Sequence, residues 1–401
     1  MKKVLGSGMI LALCAMLVAE IRSQEPEYQP AALARDAKSS PGIPLLALRA
    51  GDKQAWQMAA EKQALPLIEA KKLNALVIGV IDREGKKHFF TMGEKPGSLE
   101  KLDENTIFEI GSITKTMTAF LLADAIQRLE AKLDDPVQSY LPAGMTVPKR
   151  GNKEITVEDL ATHTSGFPRS PVGLESKLLA NSKLMANPYG DYNEDDLKKS
   201  LSNTKPKESP KPNVSYSNYG MGLLGYALTQ KYKKNYETLL QERLFTPLGM
   251  KSSSIHVPEA DKARFVDGFA QDGKPSPHWE FLDTIGPAGA VRSTAADMLV
   301  YLEAAMGRTK KTPPALAFEV ALAPQYEMNA KMQIGLAWII AEINKKRIWW
   351  HNGGTGGFSS FAGFSKSPSL GVVVLSNRSN LQGEVDKIGM KVLEALMGEE
   401  K

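Results

Sequence analysis

The segment FEIGSITKTMTAFLLADAIQRLEAKL, residues 108–133, begins with an apolar approach, turns at Gly111 and continues as a long helix-forming run. The apolar periodicity from Ile113 to Leu133 predicts a helix, which places Ser112 at its N-terminus. Residues three apart on a helix have Cβ atoms about 5–6 Å apart, so Lys115 can reach the Ser112 hydroxyl. Because a serine becomes reactive only beside a positioned base, this arrangement predicts a nucleophile at a helix start.

Two later segments carry the other polar groups that such a nucleophile needs. Tyr216-Ser217-Asn218 follows a Pro- and Lys-rich stretch, and loops held by a rigid scaffold commonly carry function. His351-Asn352-Gly353-Gly354 follows a strand-like stretch, and its glycines allow a close approach of the backbone to a ligand. Taken alone, the three segments fit a capped helix, a turn and a hairpin connection. Taken together, they predict one acyl-transfer site.

In order and spacing, the three segments resemble the serine β-lactamase and penicillin-binding protein superfamily, specifically its class C β-lactamase branch with the related DD-peptidases, D-aminopeptidases and esterases. The resemblance covers residues 65–397 and includes further blocks, which are Leu133–Pro136, Leu160–Pro168, Leu244–Met250, Gly289–Met298 and Gly335–Trp338. It implies an α+β fold of the β-lactamase/transpeptidase type. In this fold an antiparallel sheet is flanked by N- and C-terminal helices and carries an inserted all-α domain.

The resemblance also implies a role for each polar residue of the first two motifs. Ser112 matches the nucleophile that is acylated, and Lys115 matches the partner that accepts or relays its proton. Tyr216 matches the phenol or phenolate that acts as general base and then returns the proton to the leaving group. Asn218 matches the side chain that, with Lys115, holds the substrate amide and keeps the lysine ordered.

The third motif is expected to bind substrate and to complete the oxyanion hole. His351 and Gly353 stand where the family has Lys-Thr-Gly or His-x-Gly, and the N–H of Gly354 is expected to pair with that of Ser112. Such donors are each worth about 2.7–4 kcal/mol of transition-state stabilisation.

The histidine of this motif bears on the substrate. Class C β-lactamases usually have lysine at the position of His351, whereas His-x-Gly is common among the peptidase and esterase relatives. Histidine is mostly neutral at pH 7, which argues against efficient β-lactam hydrolysis, although β-lactams are still expected to acylate the protein. Activity on carboxylate-bearing substrates is expected to rise as the pH falls toward the imidazole pKa.

Composition and motif content exclude several other classes. The chain has no Gly-x-Ser-x-Gly elbow, which argues against an α/β-hydrolase. Its five histidines are scattered and it has one cysteine, so no protein-bound metal and no cofactor are expected. The formal charge of +5 is spread among acidic residues, and nucleic-acid binding is not expected. His163 is interpreted as a structural histidine in a turn, with a place near the cleft as the alternative.

The N-terminus predicts export. Two lysines precede the apolar run Val4–Ala19, which is short for a membrane span and typical of a secretory signal peptide, assigned to residues 1–23. Cys14 follows a bulky leucine, which favours a plain export signal over a lipid anchor. We therefore expect a periplasmic or secreted monomer with no stable membrane anchor.

Four regions are predicted along the chain. The signal peptide, 1–23, is followed by an N-terminal extension, 24–60, that is rich in Pro, Ala and charge. Residues 61–132 and 286–401 are assigned to an α/β domain, and 133–285 to an inserted helical domain. The strands and the closing helix of the α/β domain are predicted at Ala75–Ile81, His88–Met92, Gly335–Ile340, Arg347–Trp350, Phe358–Phe364, Gly371–Ser376 and Glu384–Met397.

Two functional classes remain open. The first is an exported serine hydrolase that forms an acyl-enzyme through Ser112 and releases it to water, with a β-lactam, an ester or a D-amino-acid peptide as its small-molecule substrate. The second is a penicillin-binding or scaffold protein that keeps the pocket without turnover. The complete set of polar residues and the oxyanion glycine favour the enzyme, since a scaffold has no physical need for them. The three substrate types stay open, because the pocket depends on loops such as 169–209.

Overall fold

An antiparallel sheet of eight strands is the largest element in the computed structural model, which describes residues 54–93, 101–209, 213–308 and 313–398. Residues from Ala55 onward form one compact unit, whereas the predicted signal peptide, 1–23, and residues 24–53 lie outside the described residues. The strands of the described residues are β1 (Ala75–Ile81), β2 (Lys87–Gly93), β3 (Phe108–Glu109), β4 (Gly268–Phe269), β5 (Pro275–Ser276), β6 (Arg292–Ser293), β7 (Tyr326–Asn329), β8 (Met332–Ile334), β9 (Ile339–Ile343), β10 (Lys346–Gly354), β11 (Ser359–Lys366) and β12 (Ser369–Ser376).

The third motif lies at the end of β10, which is an interior strand of the sheet. Its eight strands lie in the order β2-β1-β12-β11-β10-β9-β8-β7, and every neighbouring pair is antiparallel. The predicted hairpin is confirmed as β1 and β2, and the three predicted strands nearest the C-terminus are confirmed as β10, β11 and β12, with Phe358 lying one residue before β11. Strand β10 pairs with β9 only as far as Trp350, so its last four residues, His351 to Gly354, pair with β11 alone.

One strand prediction is wrong, and two strands of the eight-stranded sheet are not predicted. The predicted strand Gly335–Ile340 fails over its first four residues, because β9 begins at Ile339. Leu336 and Ala337 donate backbone hydrogen bonds to carbonyl groups of helical residues at 2.9 and 2.8 Å, so these N–H groups are not free to join a strand ladder. Strands β7 and β8 are not predicted, because they are four and three residues long and such short runs give a weak periodic signal.

The helices surround the sheet and fill the middle of the chain. They are α1 (Ala55–Glu69), α2 (Thr114–Gln127), α3 (Val157–Ala161), α4 (Leu174–Ala180), α5 (Glu194–Asn203), α6 (Asn218–Tyr232), α7 (Tyr236–Leu240), α8 (Thr246–Leu248), α9 (Ala295–Ala305), α10 (Pro313–Leu322) and α11 (Gln382–Gly398). The predicted closing helix is confirmed as α11. Helix α2 ends six residues before the predicted Leu133, where Leu129 takes a left-handed φ of 59°. Segment 133–285 consists of helices joined by loops, together with the β4–β5 hairpin, and its boundaries as a domain stay a prediction.

Helices α1 and α11 pack on one face of the sheet. Trp56, Ala60 and Ala64, spaced four apart, form the buried face of α1 and join a core cluster with alternate residues of β1 and β12. Residues 55–60 therefore belong to a packed helix, and the predicted extension 24–60 is too long at its C-terminal end. On the opposite face Leu299 of α9 lies against Gly79, so all of β1 is buried, which explains its continuous apolar sequence. Among the described residues, no helix has the length and apolar content needed to cross a membrane.

Candidate active site

The turn that carries the nucleophile packs backbone to backbone on the end of β10. A Cβ atom placed on Gly111 would lie 2.6 Å from the Gly354 nitrogen, and one on Gly353 would lie 2.0 Å from the Ile110 carbonyl oxygen. Gly111 also has a φ of +51°, a conformation that favours glycine. These glycines therefore bring the Gly354 backbone beside the residue that precedes Ser112, as the predicted oxyanion hole requires.

Lys115 is completely buried and faces the nucleophile. Its Nζ lies 2.8 Å from Ser112 Oγ and 2.6 Å from the carbonyl oxygen of Ala288. Ser112 itself is half-buried at the 3₁₀ turn Gly111–Ile113 that leads into α2. The sequence predicts that Asn218 keeps the lysine ordered, but in the described contacts the Ala288 carbonyl holds it.

The turn that contains Ala288 is fixed to α2 by further hydrogen bonds. Thr118 Oγ1 donates to the Pro287 carbonyl at 2.7 Å, and the Val291 N–H donates to Thr114 Oγ1 at 3.1 Å. The acceptor for Lys115 is thus held by the same helix that carries Lys115, which limits the freedom of the ammonium or amine group.

The protonation states of Lys115 and Tyr216 follow from their surroundings. Burial, and then the positive charge of Arg169, lowers the pKa of Lys115 well below its ordinary value. Burial raises the pKa of Tyr216 to about 12, although Arg169 and a hydrogen bond with Ser112 act in the opposite direction. A lysine that gives up its proton more readily than usual, beside a protonated phenol, favours Lys115 as the base for Ser112, with Tyr216 as a proton donor, over a phenolate base.

Tyr216 is the point at which the three motifs meet. Its ring centroid lies 4.8 Å from Lys115 Nζ, 4.7 Å from the ring of His163 and 6.2 Å from the ring of His351. The guanidinium carbon of Arg169 also lies 4.8 Å from the centroid of the Tyr216 ring. The predicted catalytic residues of all three motifs are therefore brought together.

His163 holds the backbone of the second motif. It is buried in a left-handed turn with a φ of 59°, its Nδ1 accepts a hydrogen bond from the Ser217 N–H at 3.2 Å, and its carbonyl accepts one from the Ser215 N–H at 2.8 Å. Burial lowers its pKa well below the ordinary value, so the ring is neutral. These contacts agree with a structural histidine, and they place it directly against Tyr216.

Asn218 stands at the start of α6, where Ser217 Oγ caps the helix by accepting a hydrogen bond from the Gly220 N–H at 2.8 Å. The Asn218 Nδ2 lies 3.4 Å from the Tyr189 hydroxyl, and its Oδ1 is buried with no partner among the described residues. An unpaired acceptor at the site suits the amide N–H of a substrate, because a buried polar atom is costly until it is paired. The substrate-binding role of Asn218 stays a prediction, and the unpaired Oδ1 supports it.

His351 is buried and neutral. Its Nδ1 contacts the Asn352 carbonyl oxygen, which can only accept, so Nδ1 carries the proton and Nε2 is an acceptor. Burial lowers the pKa of His351 to about 3. The ring therefore stays neutral as the pH falls toward an ordinary imidazole pKa, and His351 gives no reason to expect activity to rise in that range.

The back of the motif is anchored by buried carboxyl groups. Asn352 Nδ2 donates to Asp386 Oδ2 of α11 at 2.7 Å, and burial raises the pKa of Asp386 to about 8. Thr355 Oγ1 donates to Glu109 Oε2 at 2.6 Å, and burial raises the pKa of Glu109 to about 7. Both contacts fix the backbone around Gly353 and Gly354 from the side away from Tyr216.

Sequence reasoning missed two residues at the site. Arg169 and Ala288 each lie one residue outside a recognised block, after Leu160–Pro168 and before Gly289–Met298. A backbone acceptor such as Ala288 leaves no signal in its side chain, whereas an arginine directly after a recognised turn was a readable signal. Within the described part of the chain, no group of three His, Cys, Asp or Glu residues is placed to hold a metal ion.

Comparison with known proteins places these features in context. Residues 66–397 match the model of a protein family described as Beta-lactamase. The chain is 28% identical over 368 residues to a beta-lactamase of Pseudomonas fluorescens, covering 82% of this chain and 96% of that protein. It is 29% identical over 320 residues to the D-alanyl-D-alanine-carboxypeptidase/endopeptidase AmpH of Escherichia coli (strain K12), covering 76% of this chain and 80% of that protein.

Solved structures agree with the predicted fold. A class C beta lactamase from Rhodobacter sphaeroides has a TM-score of 0.71 at 25% identity, covering 85% of this chain and 99% of that one. A beta-lactamase/D-alanine carboxypeptidase from Pseudomonas syringae has a TM-score of 0.72 at 21% identity and supports the fold alone, covering 86% of this chain and 100% of that one. The predicted α+β fold and the resemblance read from the motifs are both confirmed.

Proposed function

Because the chain belongs to the beta-lactamase family, we propose that it is an exported serine hydrolase that forms an acyl-enzyme on Ser112 with β-lactam amides or related acyl substrates. One observation carries the proposal, which is the 2.8 Å contact between Ser112 Oγ and the buried Nζ of Lys115. Burial lowers the pKa of Lys115 well below its ordinary value and so favours the free amine, which can take the proton of an attacking hydroxyl.

The reaction follows from these positions. Ser112 Oγ attacks the substrate carbonyl carbon as its proton passes to Lys115, and the N–H groups of Ser112 and Gly354 bind the oxygen that becomes negative. The Tyr216 hydroxyl gives its proton to the leaving nitrogen or oxygen, the bond to that atom breaks, and Tyr216 regains a proton from Lys115. Water then attacks the acyl carbon with the same groups acting in reverse, which releases the acid and frees Ser112. The chain supplies every group in this sequence, so no cofactor is invoked.

A second candidate is a carboxypeptidase of D-amino-acid peptides or a carboxylesterase of the same fold. The neutral, buried His351 favours it, because the position lacks the permanent charge that would attract the carboxylate of a β-lactam. The likeness to AmpH, which is named as a D-alanyl-D-alanine-carboxypeptidase/endopeptidase, supports the peptide substrate. A third candidate, a penicillin binder or scaffold without turnover, keeps the nucleophile but lacks steady hydrolysis.

Turnover of three substrates separates these candidates. We expect the purified protein to hydrolyse at least one of nitrocefin, p-nitrophenyl acetate and a D-alanyl-D-alanine peptide over many cycles, with activity lost in Ser112→Ala and kept in the control Ser202→Ala, which changes an exposed serine of α5. A penicillin adduct is expected on Ser112 by peptide mapping. A single stoichiometric burst with all three substrates would favour the non-turnover protein, and an adduct on Ser165, Ser359 or Ser360 would remove Ser112 from the mechanism.

Export and assembly are part of the same proposal. The apolar run Val4–Ala19 after two lysines supports passage through a secretory pathway and removal of residues 1–23, without a lasting lipid or membrane anchor. The expected product is a periplasmic or secreted monomer that binds small acyl substrates and no nucleic acid. Cell fractionation with N-terminal sequencing of the mature protein tests this, and a protein retained in the cytoplasm with Met1 intact would contradict it.

A further inference from the structure

We infer that Arg169 is a positioning residue of the acyl-transfer site, whose fixed positive charge keeps Lys115 as the free amine that accepts the proton of Ser112. The inference rests on the proposed acyl-enzyme at Ser112, and it assigns to Arg169 a role in setting the pH range of the reaction. Arg169 acts through Lys115 and Tyr216 and is not required to touch the substrate.

The guanidinium lies against the proton-transfer pair. Its central carbon is 4.8 Å from the centroid of the Tyr216 ring, and Lys115 Nζ lies at the same distance from that centroid. The Nη1 atom of Arg169 is buried without a hydrogen-bond partner, and no carboxylate among the described residues forms an ion pair with this side chain. Its charge is therefore not neutralised by a neighbouring acid in the described part of the chain.

The backbone around Arg169 is tied to the loop that carries Tyr216. The Tyr219 N–H donates to the Arg169 carbonyl at 3.2 Å, and Ser217 Oγ donates to the Pro168 carbonyl at 2.7 Å. The ring of Phe167 stacks on that of Tyr219 with centroids 4.8 Å apart. Three contacts within three residues hold the two segments together, so the backbone from which the Arg169 side chain extends is fixed against the loop that carries Tyr216.

The other titratable groups that face this pair do not supply a competing charge. His163, from the turn after α3, and His351, from β10, both have a pKa lowered by burial and are neutral rings. Tyr189 faces Tyr216 from the segment before α5 and is a phenol. The positive charge of Arg169 adds to burial in lowering the pKa of Lys115, because a nearby positive charge disfavours the ammonium form.

Loss of the Arg169 charge should raise the pKa of Lys115. Removing a positive charge makes the ammonium form of Lys115 easier to reach, so the pKa of Lys115 rises and a larger part of the enzyme is inactive at low pH. The acid limb of kcat/KM reports the base of the free enzyme. That limb should therefore move to higher pH when Arg169 loses its charge, while the plateau at high pH changes less.

The experiment measures kcat/KM for p-nitrophenyl acetate, which has no charge for Arg169 to recognise, from pH 5 to pH 10. In Arg169→Met the acid limb should shift upward by about one pH unit, which is about a tenfold loss on the limb. Arg169→Lys should keep the limb close to that of the wild type. Arg347→Met, which removes the same charge from an exposed position near the far end of β10, is the matched control and should leave the limb unmoved.

Each outcome decides the inference. An unmoved acid limb in Arg169→Met, an equal loss at every pH, or the same shift in Arg347→Met would overturn it. Selective loss of nitrocefin hydrolysis with an unmoved limb would also overturn it, because Arg169 would then bind the substrate carboxylate. Arg169→Gln gives a second measurement if the methionine variant does not fold. Absence of a Ser112 adduct in the wild type would contradict the proposed function itself, whereas an adduct with an unmoved limb would contradict the role of Arg169 alone.

Discussion

The two walls of the site differ in how completely their polar groups are paired. On the nucleophile wall, made of residues 110–118, 286–291 and the end of β10, the side chains of Ser112, Lys115 and Thr114 all have partners. On the loop wall, made of residues 163–170 and 216–218, four buried polar atoms have no partner among the described residues, which are His163 Nε2, Arg169 Nη1, Ser170 Oγ and Asn218 Oδ1.

This difference separates chemistry from recognition. A fully paired nucleophile wall holds the reacting groups at fixed distances without a ligand, which is the preorganisation that catalysis needs. Unpaired buried atoms are costly in the free protein and gain stabilisation when a substrate pairs with them. We therefore expect changes on the nucleophile wall and at Tyr216 to act mainly on kcat, and changes elsewhere on the loop wall to act on substrate choice and on the pH profile.

The largest effect is expected from the proton-transfer pair. Lys115→Ala should lower kcat by about 10³–10⁴, because the base is lost, while Tyr216→Phe should lower it by about 10², because a leaving group can take a proton from water in its place. The double variant should fall well short of the product of the two losses, since the groups act as a unit. Stopped-flow kinetics on folded variants checks the ranking, and a larger loss in Tyr216→Phe would reverse our assignment of base and donor.

The next effect concerns the backbone contact on the nucleophile wall. Gly111→Ala should lower kcat by about 10²–10³, because a Cβ atom 2.6 Å from the Gly354 nitrogen must displace one half of the oxyanion hole. Gly173→Ala is the matched control, since Gly173 also has a positive φ but has nothing within 4 Å of its Cβ position. Equal losses in the two variants would show that backbone strain, and not the contact with β10, causes the effect.

A smaller effect is expected from the charge at the third motif. His351→Lys should raise kcat/KM for nitrocefin relative to p-nitrophenyl acetate by about fivefold, the size of a charge interaction of about 1 kcal/mol. The reason is that a lysine can supply the charge that the buried neutral imidazole lacks. Parallel changes with both substrates would indicate that position 351 has a structural role and that specificity is set on the loop wall.

The smallest effect on catalysis is expected behind β10. The pKa of Asp386 in the folded protein, about 8, lies above the value of about 4 of an unfolded aspartate, so the protonated form is the one that the fold favours. Stability from this group is complete below about pH 4 and is lost as the pH rises toward 8, with a slope of at most about 1.4 kcal/mol per pH unit. Asp386→Asn should make this slope shallower in urea unfolding curves, with kcat little changed, while Glu109, whose pKa is also raised by burial, continues to contribute to it. An unchanged slope would show that Asp386 does not titrate in that range.

The sequence predicts the nucleophile wall better than the loop wall. Ser112 and Lys115 lie three residues apart on one helix, so their contact follows from helix geometry alone. The hairpin β1–β2 and helix α11 follow equally well from local periodicity. For these elements a pattern of a few residues decides the structure.

The remaining features depend on contacts that no local pattern encodes. The strand over Gly335–Ile340 fails because its N–H groups bond to helices α3 and α10, which are distant in the sequence. The ordinary pKa assumed for His351 fails because burial arises from the whole fold. The sequence does not predict a role for Arg169, because that role depends on a 4.8 Å contact with Tyr216, which lies 47 positions later in the chain.

The central claim is that Lys115 is the free amine that takes the proton of Ser112, and the pH dependence of acylation tests it most directly. The measurement is the rate at which a penicillin labels Ser112, followed by intact mass from pH 5 to pH 11 in the wild type and in Lys115→Ala. We predict a half-maximal rate far below the ordinary lysine pKa of 10.5, and the loss of that limb in Lys115→Ala. A half-maximal rate near pH 10.5, or the same limb in Lys115→Ala, would contradict the account.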